Sequence, residues 1–294
     1  MKLLIRPEVE EVKPYDVKDL LEIKNLKAIA KLDLNENLLV LNREIKKIVK
    51  EAIKEVDFRL YPKPYGKEAA EAIAEFYGLK EEKIFVGNGS DDLLDKLSRT
   101  FISKGSNVII NEPTFAMYSF FIKLYGGEKK EVLLKPNFQL NVDEILNKCD
   151  SKTSMVIICS PNNPTGNQFD IKDVEKVLKN FDGLVIVDEA YVDFADYSII
   201  NLVEKYENLV VLRSFSKSFG LASIRAGFAA ANEKVVNYLM KVSAPFSVNS
   251  LTQKIIKITL KNWNLFKKEI KSIIREREWL FNELKKIDEV TPFP

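Results

Sequence analysis

Short apolar, β-branched runs alternate with longer segments of helical periodicity through the middle of the chain. The runs at 84–87, 107–111, 155–159, 184–188, 209–212 and 226–230 predict strands. Met155-Val-Ile-Ile-Cys159 is apolar throughout, as a strand buried on both faces of a sheet should be. Between the runs, Leu93, Leu94, Leu97 and Phe101 recur at helical spacing. Asn141 stands three residues before Glu144, the spacing of a capping box at a helix start. Upstream, Ile45, Ile48, Val49, Ala52, Ile53 and Val56 form one helical stripe, most simply a core face. The alternation predicts an α/β fold, a mostly parallel sheet wrapped by helices.

From 248 to about 290 the pattern is helical, rich in Lys and Glu, with no strand. The organisation expected is an N-terminal arm and start of a small domain at 1–30, a large domain at 31–245, and the beginning of a C-terminal small domain at 246–294. Thr291-Pro-Phe-Pro294 has the character of a lead-in to a further segment.

Composition narrows the function classes. The chain has 294 residues, 46% apolar and 30% charged, enough for a sizeable core. Its 45 basic and 43 acidic residues are interspersed along helical segments, the pattern of a solvated surface. A nucleic-acid partner would call for a basic stripe. There is no histidine, which excludes histidine triads and histidine metal sites and leaves acid–base work to Lys, Asp, Glu, Tyr or Cys. Cys149 and Cys159 lack metal-ligand spacing and are expected to be buried free thiols in a reducing compartment. Leu3-Leu-Ile5 ahead of Arg6 and Pro7 is too short for a signal segment, and no run is long enough for a membrane span. A soluble, cytoplasmic protein with no membrane or nucleic-acid partner is expected.

Polar segments interrupt the pattern at the predicted strand ends, where an open parallel sheet binds ligands. Gly87-Asn-Gly-Ser-Asp-Asp92 opens a helix whose amides suit an anion such as phosphate, although such a turn taken alone is more often only a capped helix start. Ser160-Pro-Asn-Asn-Pro-Thr-Gly166 is an irregular loop presenting two asparagine amides. Asp188 ends an apolar run; it is either a helix cap or a partly desolvated acid in need of a cationic partner. Lys217, in Arg213-Ser-Phe-Ser-Lys-Ser-Phe-Gly220, differs from the solvated Lys–Glu pattern elsewhere, and Arg225 lies eight residues beyond it. Partial burial would lower its pKa and free an amine to act as nucleophile and base.

Asn35-Glu-Asn37, Tyr61-Pro62, Gly87-Asn-Gly-Ser-Asp91, Glu112-Pro-Thr-Phe115, the Ser160–Gly166 loop, Asp188-Glu-Ala-Tyr191 and Ser214-Phe-Ser-Lys217 through Arg225 occur in this order. Together they resemble the fold-type I pyridoxal-phosphate (PLP) aminotransferases, and within these the histidinol-phosphate aminotransferases. The likeness runs from about Pro14 to the last residue. It implies that Lys217 carries PLP as a Schiff base and that Asp188 pairs with the pyridinium nitrogen. Asn163 and Tyr191 would bind the phenolic oxygen and Phe115 would stack on the ring. Gly89, Ser90, Asp91, Ser214, Ser216 and Arg225 would hold the phosphate. Tyr61 would reach that phosphate from a neighbouring subunit, implying a homodimer. Tyr15 and Asn35 would lie near the substrate.

The implied reaction is ping-pong transfer of an amino group between histidinol phosphate, or a related phosphorylated amine, and 2-oxoglutarate, in amino-acid (histidine) biosynthesis. A threonine-phosphate decarboxylase type of lyase and an inactive PLP-binding protein are the alternatives. Two departures accompany the likeness. Leu38 stands where relatives commonly have Pro, and the carboxylate-binding arginine that relatives carry beyond the position of Pro294 has no counterpart. Either the chain is truncated or it lacks a full second half-reaction; the lead-in character of Thr291-Pro-Phe-Pro294 makes truncation the expectation.

Overall fold

A computed structural model describes residues 4–14 and 32–293. Seven strands form one sheet: β1 (Ile84–Gly87), β2 (Asn107–Glu112), β3 (Glu128–Leu133), β4 (Thr153–Cys159), β5 (Leu184–Asp188), β6 (Leu209–Ser214) and β7 (Gly227–Ala231). Their order across the sheet is β1-β7-β6-β5-β4-β2-β3. The β2–β3, β2–β4, β4–β5 and β5–β6 pairs are parallel, while β7 runs antiparallel to both β6 and β1. The carboxyl ends of β1, β2, β4, β5 and β6 therefore share one edge.

The apolar runs are buried for a reason visible in the core. Val156, Ile158, Val185 and Val187 face a core with the helices Lys67–Tyr77 and Ile171–Asn180. Ile157, Ile186 and Leu212 face a second core with Ser90–Phe101 and Glu233–Lys241. With cores on both faces, alternation disappears from the central strands. Each buried Val, Ile or Leu contributes about 1.5–3 kcal/mol relative to exposure.

Several expectations change in detail. The predicted strands at 107–111, 155–159, 209–212 and 226–230 lie within one or two residues of those formed. Strand β3 was not predicted: its sequence, Glu-Lys-Lys-Glu-Val-Leu, is charged because it is an edge strand mostly exposed to water. In the Asn42–Lys54 helix, Ile48 and Ala52 are buried, but Ile53 is exposed and Val56 lies beyond the helix end. Asn141 does precede the Val142–Lys148 helix, yet it caps no backbone amide; its Nδ2 donates to Glu144 Oε2 at 2.9 Å instead. Cys149 is a free but only half-buried thiol, and Cys159 is free and buried.

The segment after 246 forms the helices Ser250–Lys261 and Trp263–Leu284. The first packs on Lys67–Tyr77 and Asn42–Lys54, with Ile255 and Ile256 in the same core as β4 and β5. Packing is thus continuous across residue 246. No helix among the described residues is long and apolar enough to cross a membrane.

Candidate active site

The loops leaving β1, β4, β5 and β6 surround a cavity of about 440 Å³ on the shared sheet edge. Asp188, the last residue of β5, projects into it while only 3% exposed. Its Oδ2 accepts a hydrogen bond from Tyr118 Oη at 2.9 Å and its Oδ1 accepts from the Ala190 amide at 3.0 Å. Among the described residues it has no ion pair. The cationic partner expected from the sequence is therefore not a side chain of the described chain. Burial pushes the carboxyl up to about 6, against the pull of the tyrosine and the amide.

Lys217 enters the same cavity from the loop after β6. Its Nζ donates to the Leu34 carbonyl at 2.7 Å and sits 5.5 Å from the centre of the Tyr191 ring. Burial lowers its pKa below that of an ordinary lysine, with Asp91 and Glu36 pulling the other way and Arg225 adding to the lowering. Asn35, on a left-handed backbone, donates from Nδ2 to Tyr191 Oη at 3.2 Å. It too lines the cavity.

One end of the cavity is cationic and rich in donors. The Ser90–Phe101 helix starts there with no side-chain cap on its first amides. Ser214, Ser216 and Arg225 face this start. Arg225 is held by the Ala222 carbonyl at 3.2 Å, and its Nη2 lies 3.5 Å from Asp91. Two glycines allow this close assembly. A Cβ on Gly89, at φ +90, would stand 2.6 Å from Arg225 Nη2. One on Gly227 would stand 2.8 Å from the Gly89 carbonyl carbon and 2.9 Å from the Ser90 amide. Gly89 thus does not line the cavity itself but leaves room for the Arg225 guanidinium beside the helix start.

The remaining walls divide the asparagine loop cleanly. Asn163 faces the cavity. Asn162 is buried and fastens the loop: its Nδ2 donates to the Pro113 carbonyl and Thr165 Oγ1 at 2.9 and 2.8 Å, and Thr114 Oγ1 donates to its Oδ1 at 2.9 Å. Phe115 lines the cavity and meets Tyr118 edge-on, with ring centres 5.6 Å apart.

Of the sequence-predicted residues, Gly89 and Tyr61 do not line this cavity. Tyr61 is 81% exposed and stacks on Phe246, centroids 4.8 Å apart, and Tyr15 lies outside the described residues. Sequence reasoning missed Tyr118, whose phenol is raised far above its usual range by burial and by Asp188, so that it serves as a fixed donor. It also treated Cys159 as bland, although this thiol, pushed up to about 12 by burial, lines the cavity.

These groups fit an aromatic cofactor bearing a phosphate. The buried acid without a cation suits a protonated ring nitrogen, the uncapped helix start with Arg225 suits a dianion, and Lys217 stands in the same cavity.

Residues 27–294 match the family described as aminotransferase class I and II. A histidinol-phosphate aminotransferase of Pyrococcus furiosus is 43% identical over 86% of this chain and 73% of its own length. That of Clostridium novyi is 37% identical over 97% of this chain and 79% of its own length. Among solved structures, the Sinorhizobium meliloti histidinol-phosphate aminotransferase, determined in complex with pyridoxal 5'-phosphate, superposes with a TM-score of 0.86 at 19% identity, covering 96% of this chain and 77% of that one. Likeness in sequence thus spans the strand-end loops that build the cavity, and the chain belongs to the class I and II aminotransferases, among the histidinol-phosphate aminotransferases.

Proposed function

We propose that this aminotransferase uses PLP and moves an amino group between glutamate/2-oxoglutarate and histidinol phosphate or its keto counterpart, in the cytoplasm, as a step of histidine biosynthesis. The observation that carries the cofactor reading is the pairing of Lys217 with Asp188 in one cavity whose other end is an anion cradle. The phosphorylated substrate follows from the curated relatives, which are histidinol-phosphate aminotransferases at 35–43% identity. Bound PLP supplies a sink for the electron pair left when a substrate Cα–H bond breaks. The protein's part is positional and electrostatic. Ser90, Asp91, Ser214, Ser216 and Arg225 would bind the phosphate, with Gly89 shaping the turn. Asp188 would hold charge opposite the ring nitrogen, Asn163 and Tyr191 would donate to the ring oxygen, and Phe115 would cover one ring face. Lys217 Nζ, its basicity lowered by burial, would accept the proton from Cα and return it.

Tyr61 stands among exposed apolar side chains, Phe58, Leu60 and Phe246. A cluster of this kind marks an interaction surface. A second copy is the proposed occupant, with Tyr61 reaching the partner's phosphate cradle.

Borohydride is expected to fix PLP to Lys217 in the wild type and to no residue in Lys217→Ala, with turnover in that variant lower by about 10³-fold or more. Histidinol phosphate should bleach the visible band of the loaded wild-type protein and release a keto compound. Label on another lysine, or carbon dioxide as product, would refute the assignment.

A further inference from the structure

Arg213 belongs to the segment singled out around Lys217, yet its side chain points away from the cavity. It is the penultimate residue of β6 and 5% exposed. Nη1 donates to Glu189 Oε2 at 3.2 Å, while Nη2 donates to Asp193 Oδ1 at 2.6 Å and to Tyr77 Oη at 3.1 Å. Burial weighs against its charge, but Tyr77, Asp193 and Glu189 more than offset that, so the guanidinium stays ionised. Its two acidic partners stand two residues either side of Tyr191. The second oxygen of Asp193 accepts from Ser218 Oγ, and the Ser218 carbonyl accepts from Asn37 Nδ2 at 3.0 Å.

We infer that Arg213, with Asp193 and Ser218, is a positioning clamp for the reaction, fixing Lys217 relative to Asp188 and Tyr191 from behind the cavity. This inference rests on the proposed role of Lys217. The network joins three segments, and each of them presents a cavity residue one or two positions from its tie: Asn35 from Asn37, Tyr191 from Asp193, and Lys217 from Ser218. Lys217 is also fixed on its other side, where the Ser216 amide donates to Ser214 Oγ at 3.1 Å. Buried ion pairs of this kind add little net stability over a well-packed apolar core. Placement of reacting groups is a different matter, because an error of about 1 Å can cost about 100-fold in rate.

The test compares wild type with Arg213→Lys, which keeps the charge but loses the two-pronged fork, and with Ser218→Ala and Ser218→Thr. In cofactor-free protein, the pH dependence of trinitrobenzenesulfonate modification reports on Lys217, with Lys217→Ala identifying its signal. Asp91, Glu36, Arg225, Asp188 and the Tyr191 ring face this amine and are unchanged in all the clamp variants. In Ser218→Ala the modification midpoint should rise toward that of an ordinary lysine by about half a pH unit or more. Ser218→Thr, which keeps the hydroxyl, should restore it even though the added methyl in a buried site leaves the melting temperature no closer to wild type than in Ser218→Ala. Arg213→Lys should shift the midpoint the same way; should it fail to fold, the serine pair decides. In loaded protein, Ser218→Ala should lower kcat about tenfold with little change in KM. A Ser218→Ala midpoint equal to that of wild type, or a Ser218→Thr midpoint that stays with that of Ser218→Ala, would overturn the clamp. Wild-type protein that does not respond to histidinol phosphate sinks the substrate reading and leaves the midpoint comparison intact.

Discussion

Asp188 and Glu189 are neighbours at the end of one strand, nearly equally buried at 3% and 2% exposure, and they face opposite ways. Glu189 looks into the fold. Its Oε2 takes hydrogen bonds from Arg213 Nη1 and Ser198 Oγ, and its Oε1 takes one from the Ile199 amide at 2.7 Å. Asp188 looks into the cavity with only a phenol and an amide for company. A carboxylate with a complete set of partners inside the protein is a strut. One that lacks a cation is unfavourable to the apo fold and gains its partner only from a ligand.

The largest effect should come from breaking the strut. Arg213→Met leaves Glu189 and Asp193 facing each other without a cation, and should destabilise the cofactor-free protein by about 3–5 kcal/mol in urea denaturation. A loss under about 1 kcal/mol would mean that the ion pairs are not formed.

Changing the cavity side should act in the opposite sense. The folded value of Asp188, about 6, lies above its ordinary 3.8. The folded chain therefore binds this proton more tightly than the unfolded one, and stability is lost as pH rises from about 4 through 6. Asp188→Asn removes that loss, so the cofactor-free variant should gain on wild type by up to about 3 kcal/mol at pH 7–8 and by little at pH 4. The same variant should bind PLP poorly. A pH-independent difference in stability would show that Asp188 is not ionising in a buried site.

A smaller change sharpens the contrast further. Tyr118→Phe deletes one donor to the ionised acid and should lower cofactor-free stability by about 1–2 kcal/mol at pH 8, with less effect at pH 4. It should also carry the Asp188 transition to higher pH. Equal losses at both values would assign Tyr118 to packing alone.

The chemistry-bearing loops were legible because each follows an apolar run within a few residues, so short-range pattern located both strand and site. What escaped was set by distance or by edge position. Tyr118 reads as another aromatic on an apolar helix, and its partner lies 70 residues away. Arg213, Glu189 and Asp193 are ordinary charged residues until the parallel β5–β6 register sets their strand ends side by side. Strand β3 has no apolar alternation to find, because it borders water. The capping-box spacing at Asn141 located a helix start but not its hydrogen bonds, since the two side chains bond each other.

The reversed strand β7 has a consequence for redesign. Because β6 and β7 are antiparallel neighbours, the stretch between Ser214 and Gly227 leaves and rejoins the sheet at the same border. The Lys217 amine and the Arg225 guanidinium, which line one cavity, therefore travel on one short excursion, as a single transplantable cassette. A graft cut at those two residues would carry both groups together, whereas Asp188 would have to be supplied by the recipient.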